Sequence, residues 1–376
     1  MLWPDSIVLD GQAIPLDSVL ASVSIHHGRT EIFSEPAATT CQIAIRNVSR
    51  IFVQNVHVGA ELAVTALEDG TGSPIPRFTG TITDANLDVD LLTIIAAGRL
   101  STLAEYPIGL AGIWPVEPWS ARVTRCFQEA GLDAFLDLRP DPDFDPPLAA
   151  RDSATAGPTT LGDYLTFLAP MIGAAVCDGL DGSILVQAIG SRHLTAPVAI
   201  TPADVSFAPI WTQILPLANI VTVQYQGDQG ASVTAQDEGS IALYDRERRQ
   251  TIATSFNAQA DAQSRADVYL RRSAYAHWNI LEGPMIRGLD LQVGEAVTLS
   301  ELPPAAPYDP WTPIVEGWTD QIDGASWTQL LALSDPALSG LVTLAWQDVP
   351  LPYLWNTINP ATEWREALVL DSLEPV

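Results

Sequence analysis

The most constraining feature of this sequence is an internal repeat, in which three short segments each occur twice. The matched pairs are 58–64 (VGAELAV) with 293–299 (VGEAVTL), 78–84 (FTGTITD) with 315–320 (VEGWTD), and 92–97 (LTIIAA) with 327–332 (WTQLLA). One such match can arise by chance, but three in the same order and at similar spacing are difficult to dismiss. Because self-similarity at a long interval indicates duplicated structural units, we expect two related domains in this chain.

The repeated segments have the pattern of β-strands separated by turns. Stretches such as 40–46 alternate apolar and polar residues, and 29 prolines and 25 glycines supply the turns of a strand-rich fold. In each copy one glycine precedes a strand and permits a tight turn, and a second lies inside a strand, where a bulge or a close backbone approach is expected. We predict that these glycines define the fold: Gly59, Gly80, Gly294 and Gly317. The alternative is that they are ordinary turn residues of an unrelated β protein.

Three helices interrupt the strand pattern. Apolar residues recur at helical spacing over 160–172, where Thr160 and Asp163 are placed to cap the N-terminal end. A second helix is predicted over 258–275, and a shorter one over 121–130.

These elements predict a mainly β protein with an inserted α+β region between two homologous barrel domains. The expected domains are a first tube-like β-barrel at 1–111, the inserted α+β domain at 112–205, a second tube-like β-barrel at 206–335 that contains the helix 258–275, and a C-terminal arm at 336–376.

The C-terminal arm carries three tryptophans among prolines: Trp346, Trp355 and Trp364. The segment is too short and too often interrupted by proline to form a core of its own. We interpret these tryptophans as contacts with a neighbouring chain. Packing back onto the same chain remains a comparable alternative.

The chain is strongly acidic, with 45 acidic residues against 18 basic ones, and every basic residue is arginine. A surface that binds nucleic acid needs clustered positive charge, so specific DNA or RNA binding is not expected. The net charge of -27 is explained most simply by solubility. A second explanation is a channel wall that repels DNA and so lets it pass without sticking.

The sequence carries none of the common motifs of catalysis, cofactor binding or metal binding. The sequence contains no G-x-G-x-x-G, P-loop, H-E-x-x-H or G-x-S-x-G motif. Its three cysteines have no C-x-x-C spacing and are expected to be small core residues. Asp141, Asp143 and Asp145 resemble the start of a calcium loop, but the sixth position, where such a loop needs glycine, is Pro146. We expect no enzyme activity, no cofactor and no metal.

The adjacent histidines His26 and His27 lie in a predicted strand, so they should face opposite sides of it and not form a ligand pair. The first residues lack a basic start followed by an apolar stretch, and no apolar run approaches the roughly 18 residues that span a membrane. Synthesis in the cytoplasm without a membrane segment is therefore expected.

The order of elements in the second repeat resembles that of phage tail hub proteins. The segments that carry this resemblance are 237–244, the helix 261–272, 291–297, 314–318 and 328–333. The family includes the baseplate hubs of contractile tails, the tail-tip proteins of long non-contractile tails and the base of type VI secretion spikes. The resemblance covers about 40–110 and 205–335 and rests on element order and a few residues, without a diagnostic motif.

The resemblance implies a homotrimer, in which two tube-type barrels per chain form a pseudo-hexameric ring that adapts the six-fold tail tube to a three-fold tip. It further implies a location in the virion tail, at the tip or baseplate. The implied partners are the distal tail or tail tube protein, the tape-measure protein and tail fibre or spike proteins, with DNA passing through the lumen during ejection.

Two other functions remain open from the residues alone. The first is a receptor- or carbohydrate-binding tail module in which exposed tryptophans stack on sugars. The second is a cell-wall-degrading tail enzyme, which would need a deep cleft with two carboxyl groups roughly 5 to 10 Å apart.

Overall fold

The computed structural model describes the following residues: 4–9, 11–14, 20–29, 37–46, 53, 56–67, 74–110, 112–152, 156–157, 159–192, 197–207, 210–214, 218–226, 231–304, 306, 310–323 and 327–335. The C-terminal arm, with Trp346, Trp355 and Trp364, lies outside the described residues.

The strands alternate with a few helices. The strands of the N-terminal part are β1 (Pro4–Leu9), β2 (Gln12–Ile14), β3 (Leu20–Gly28), β4 (Thr40–Arg46), β5 (Glu61–Leu67), β6 (Pro74–Asp88) and β7 (Leu91–Ala97). The strands of the middle part are β8 (Pro107–Ile108), β9 (Ile113–Trp114), β10 (Glu117–Pro118), β11 (Leu136–Arg139), β12 (Pro147–Leu148), β13 (Arg151–Asp152), β14 (Thr159–Thr160), β15 (Ala175–Asp178) and β16 (Ile184–Gln187).

The C-terminal part contains β17 (Val198–Ile200), β18 (Val205–Phe207), β19 (Ile210–Ile214), β20 (Ile220–Gln224), β21 (Ser232–Gln236), β22 (Arg249–Ala253), β23 (His277–Glu282), β24 (Met285–Arg287), β25 (Val297–Leu299), β26 (Ile314–Asp323) and β27 (Trp327–Ser334). The α-helices are α1 (Trp119–Ala130), α2 (Leu161–Ile172), α3 (Glu238–Tyr244) and α4 (Gln259–Ser273). Short 3-10 turns occur at Arg99–Glu105, Asp133–Phe135 and Ile189–Ser191.

A single sheet of 11 strands contains β5–β7 of the first repeat and β26 and β27 of the second, in the order β18-β24-β27-β26-β3-β4-β7-β6-β5-β1-β2. The first matched strand of the second repeat, β25, lies in a separate sheet, where it pairs with β17. The join is β3, which pairs antiparallel with β4 of the first repeat on one side and with β26 of the second repeat on the other. Side chains along β4 and β7 alternate between buried and more exposed, as expected for strands with one face on a core. The prediction of a mainly β fold with some helices is confirmed.

The two repeats share the geometry of the turn that precedes their first matched strand. Gly59 and Gly294 both have positive φ, +93° and +85°. The Gly59 amide donates to the Ile82 carbonyl over 2.9 Å, and the Gly294 amide donates to the Val315 carbonyl over 2.7 Å. The accepting residue lies two positions after Gly80 in one copy and two positions before Gly317 in the other. The copies therefore share the turn but differ in the register of the strand against which it closes.

The expected pair of separate barrels is not what the described residues show. Strands of both repeats pair in one 11-stranded sheet whose end strands are β18 and β2. One hydrophobic cluster is built mostly from the first repeat, with Ile322 and Trp327 of the second, and another mostly from the second. A barrel therefore cannot be assigned to either repeat within one chain.

A third hydrophobic cluster fills the inserted region, where α1 and α2 pack together and the Trp119 indole donates to the Leu168 carbonyl over 3.0 Å. This cluster also contains residues of β20–β22 and Ala262 and Ala266 of α4. The helix expected inside the second barrel therefore shares the core of the inserted region, because its small apolar face packs there.

The helix predictions agree with the structure. The helix predicted over 160–172 is α2, and the Thr160 hydroxyl accepts from the Asp163 amide at its N-terminal end, as the spacing predicts. The helices predicted over 258–275 and 121–130 are α4 and α1. Sequence analysis did not predict α3, which is short and capped by Asp237. Among the described residues, no helix has the length and apolar character needed to cross a bilayer.

Candidate functional site

A seam of buried ionisable residues runs along the contact between β3 and β26, where the two repeats meet. Its centres are the carboxylates Glu316 and Asp320 on β26, both fully buried. A buried charge is costly unless it is paired and hydrogen-bonded. Each carboxylate should therefore have a complete set of partners.

Asp320 is surrounded by donors from both repeats. The guanidinium of Arg77, on β6, lies 3.3 Å from Asp320 Oδ2, and the indoles of Trp318 and Trp327 donate to the carboxylate over 3.1 and 2.8 Å. The Nε2 atom of His27, on β3, lies 3.3 Å from Oδ2. Strands that are far apart in sequence thus converge on one carboxylate.

The charge of Arg77 is what keeps Asp320 ionised. Burial acts to raise the pKa of Asp320, but the positive charge of Arg77 and the hydrogen bonds hold the pKa well below its usual range. Burial lowers the pKa of His27, and its contact with Asp320 only partly opposes this. At neutral pH the centre therefore consists of a carboxylate, a guanidinium and an uncharged imidazole.

Glu316 joins three parts of the chain. It accepts from Arg29 Nε over 2.7 Å, from Arg192 Nη1 over 2.8 Å and from the Ser334 hydroxyl over 2.6 Å. Arg29 follows β3, Arg192 belongs to the inserted region, and Ser334 ends β27. Although burial opposes ionisation, the two guanidinium groups keep the pKa of Glu316 below its usual value.

A third buried carboxylate, Asp178 at the end of β15, fastens the inserted region to the first repeat. It accepts from the Thr39 amide over 2.8 Å and from the Leu100 amide over 2.7 Å. Burial raises the pKa of Asp178 to about 6, against the opposing effect of these amides. Its protonation state therefore changes within the range of ordinary buffers.

A cleft of about 270 Å³ opens beside the seam, between the first repeat, the inserted region and the second repeat. Its walls include Asp178 and the more exposed carboxylates of Asp137, Asp181 and Asp290. Each of these three has a partner, which is Arg139 for Asp137, Ser183 for Asp181 and Arg77 for Asp290. The acids that line the cleft thus already take part in local contacts.

Two of the predicted glycines lie where the chain needs their special geometry. Gly317 is opposite Gly28 in the β3–β26 pairing. A Cβ atom at Gly317 would stand 2.3 Å from the His27 carbonyl oxygen, and one at Gly80 would stand 2.3 Å from the Ala97 carbonyl oxygen. In both cases the neighbouring oxygen belongs to the backbone, so it cannot rotate away as a flexible side chain could.

The other two predicted glycines differ in their surroundings. A Cβ at Gly59 would meet nothing within 4 Å, whereas one at Gly294 would overlap the Gln187 side chain. Their shared positive φ is the property that favours glycine. Whether the four glycines define the fold stays a prediction.

The remaining candidates have structural contacts. The Asp145 carboxylate accepts from the amide and hydroxyl of Ser120 at the start of α1, and Asp141 accepts from the Asp143 amide. His27 is buried, while His26 is half-buried and bonded to Thr319. In the described part of the chain, no group of three or more His, Cys, Asp or Glu is arranged to hold a metal ion.

Sequence analysis missed the seam residues Arg29, Arg77 and Arg192 altogether. The available signal was polar residues at inward positions of apolar strands, such as Arg77 beside Phe78 and Asp320 two positions after Trp318. That signal marks a buried charge but does not identify its partner, because the partners lie up to 287 positions away.

No family model matches this sequence, and no curated protein matches it. Solved structures do match its fold. The 43 kDa tail protein of prophage MuSo2 from Shewanella oneidensis has 13% sequence identity and a TM-score of 0.60, over 89% of this chain and 99% of that one. The tail protein from Neisseria meningitidis MC58 has 13% identity and a TM-score of 0.61, over 89% and 98%.

A prophage tail protein from Listeria monocytogenes EGD-e has 10% identity and a TM-score of 0.56, over 87% of this chain and 94% of that one. At such identities the likeness establishes a shared fold. This chain therefore shares its fold with these tail proteins, and the expected resemblance to phage tail proteins is confirmed at the level of the fold.

Proposed function

We propose that this protein is a structural subunit of a phage tail or related injection machine, located in the virion tail at the tip or baseplate, and that it is not an enzyme. The observation that carries the proposal is the common fold with two bacterial tail proteins, one of them from a prophage, over 89% of this chain and nearly all of theirs. The similarity therefore extends across the whole architecture and is not confined to one module.

The proposed assembly is a homotrimeric hub. Each chain contributes two related halves to one continuous sheet, so three chains present six similar units around a channel. Such a pseudo-hexameric ring of tube-type barrels adapts a six-fold tail tube to a three-fold tip. The open edges of the sheet support this assembly, because an open sheet gains its remaining strand partners from neighbouring chains.

The proposed partners follow from this position. The distal tail or tail tube protein stacks on one side of the ring, tail fibre or spike proteins bind on the other, and the tape-measure protein occupies the lumen. DNA passes through the same lumen during ejection. A net charge of -27 without lysine supports passage without binding, because acidic walls repel phosphate.

A cryo-electron microscopy reconstruction of the particle that contains this chain tests the proposal. The expected result is three copies in a ring, with both halves of each sheet facing one channel. A peripheral copy with its cleft open to solvent would contradict the hub and favour a binding or enzymatic role.

The Trp355→Ala variant separates the hub from a carbohydrate-binding module. We propose that the C-terminal arm contacts neighbouring chains, so this change should reduce incorporation into particles. Loss of glycan binding with normal incorporation would favour the sugar-binding alternative.

A further inference from the structure

A second cavity, of about 290 Å³, lies between the inserted region and the sheet of β20–β22, and is here called the aromatic pocket. Its volume is close to the lower limit for small-molecule sites, roughly 300 Å³. The pocket reaches the surface, because one of its walls contains an exposed glutamine. The polar and aromatic side chains in its walls include Arg122, Arg151, Tyr164, Phe167, Gln226 and Ser255.

Hydrogen bonds hold the walls of the aromatic pocket in place. The buried Arg122 donates from Nη1 to the Tyr164 hydroxyl and from Nη2 to the Ala149 carbonyl, each over 3.0 Å. The Ala149 amide in turn donates to the Ser255 carbonyl over 2.6 Å. The segments before β13, after β22 and on α2 are thus connected. A pocket with fixed walls loses little conformational entropy when a ligand binds.

The pocket offers polar groups that can both donate and accept. Ser255 is only 5% exposed, and the described partner of its hydroxyl is the Met171 sulfur, a weak acceptor 3.8 Å away. The Tyr164 hydroxyl accepts from Arg122, and its own proton can be donated to a ligand. The exposed amide of Gln226 adds a donor and an acceptor at the mouth.

Tyr164 and Phe167, one helical turn apart on α2, form an aromatic wall of the pocket. Their ring centroids are 5.9 Å apart and the rings are inclined by 39°. Tyr164 is buried and also packs against Trp114, whereas Phe167 is half-buried. Phe167 therefore provides the accessible apolar surface beside the hydrogen-bonding groups.

The charges in the pocket favour a neutral ligand. Arg122 is paired with Glu117 over 2.6 Å, and the pocket also contains both Arg151 and the adjacent Asp152. Two guanidinium groups in the walls disfavour a cation. The net charge of -27 repels anions at long range.

We propose that the aromatic pocket binds one ring of a neutral saccharide. Phe167 packs against the C–H groups of the sugar ring, while Ser255, Tyr164 and Gln226 bond its hydroxyl groups. The chemistry matches, because a sugar hydroxyl donates and accepts at once and the ring carbons supply an apolar face. The pocket is separate from the 11-stranded sheet and from the C-terminal arm, so this inference goes beyond the proposed hub and does not depend on it.

Saturation-transfer NMR on the full-length protein provides the first test. The probes are glucose, galactose, mannose, rhamnose and N-acetylglucosamine. We expect at least one of them to bind with a Kd on the order of 1 mM, as is usual for a ligand of about 12 non-hydrogen atoms. Absence of binding by all of these sugars would overturn the proposal.

Substitutions of Phe167 locate the bound sugar. Phe167→Leu keeps an apolar side chain but loses the flat ring, so the affinity should fall by about fivefold. Phe167→Tyr keeps the ring and should retain the affinity of the wild type. Thermal unfolding checks that both variants fold. The same affinity in Phe167→Leu and the wild type would place the sugar elsewhere and overturn the site.

Two exposed glutamines provide a matched pair for the hydrogen bonds. Gln226→Ala removes an amide from the mouth of the pocket and should weaken sugar binding by about fivefold. Gln224→Ala removes an amide from β20, outside the pocket, and should leave the affinity unchanged. Equal effects of the two substitutions would contradict a bond from Gln226 to the sugar.

Glucose and glucuronate test the charge of the ligand, because they differ only in the carboxylate at C6. Glucose should bind at least as tightly as glucuronate, and tighter binding of glucuronate would overturn the assignment to neutral sugars. The hub is tested separately. A three-copy ring without sugar binding would overturn the pocket and leave the hub intact, whereas sugar binding without such a ring would support the pocket and refute the hub.

Discussion

At the scale of single residues, the two repeats meet through a pair of glycines. Gly28 and Gly317 face each other across β3 and β26, and a Cβ atom on either would come within 2.4 Å of backbone oxygen on the other strand. The close approach brings the Arg29 amide within 2.9 Å of the Glu316 carbonyl, at the start of the buried seam. Sequence analysis selected Gly317 from the repeat but not Gly28, which lies outside the matched segments.

Alanine substitutions at Gly317 and Gly59 distinguish a glycine required by a close backbone contact from one required only by positive φ. We expect Gly317→Ala to lower the free energy of unfolding by about 3 kcal/mol, because the new methyl group collides with backbone. Gly59→Ala should lower the free energy of unfolding by only about 1 kcal/mol. Its methyl group would contact nothing within 4 Å, so the positive φ is the only unfavourable factor. Urea unfolding of both variants measures the difference, and equal losses would contradict this account.

At the scale of elements, β26 organises the molecule. It pairs with β27 of its own repeat and with β3 of the first, and it carries both carboxylates of the seam. Its partner elements arrive from distant parts of the chain, and the inserted region attaches through Arg192 and, at a separate point, through Asp178 of β15. The attachment of β15 depends on the Asp178 carboxylate, whose pKa of about 6 lies in an experimentally accessible range of pH.

The attachment of β15 predicts a dependence of stability on pH. Because the pKa of Asp178 is raised to about 6 in the folded state, the folded chain holds a proton there that the unfolded chain has already lost. The contribution of Asp178 to the free energy of unfolding therefore falls as pH rises from about 4 to 6, by up to about 1.4 kcal/mol per pH unit.

The Asp178→Asn variant removes this contribution and should flatten the pH profile between 4 and 6 relative to the wild type. Asp181→Asn is the control, because hydrogen bonds from Ser183 lower the pKa of Asp181 and its contribution is instead lost as pH falls. Chemical unfolding at half-unit pH intervals measures both. An unchanged profile for Asp178→Asn would refute the assigned titration.

At the scale of the whole molecule, the buried charges of the described residues balance in number. The buried arginines Arg29, Arg77, Arg122, Arg192 and Arg265 are matched in number by the buried acids Glu117, Asp178, Glu316, Asp320 and Asp335. The net charge of -27 is thus carried by residues other than these buried ones.

Glu316 connects three parts of the chain through Arg29, Arg192 and Ser334, so its neutralisation should destabilise the contacts among them. In Glu316→Gln, Arg29 and Arg192 lose their counter-charge, and breaking such a buried pair costs about 3–5 kcal/mol. Hydrogen exchange should accelerate at β3, β26 and Ile189–Ser191 and change little in α1 and α2. Uniform acceleration, including α1 and α2, would show that the clusters unfold as one unit.

The sequence by itself determined the strand-rich class, α1, α2 and α4, the capping of α2 by Thr160 and the acidic composition. These follow from periodicity, local hydrogen bonding and composition, which act over a few residues. Only the tertiary structure decided that strands of both repeats pair in one sheet, that α4 joins the core of the inserted region, and that Arg29, Arg77 and Arg192 neutralise carboxylates on β26. The physical reason is that strand pairing and burial of charge depend on partners that are remote in sequence, and no local pattern identifies them.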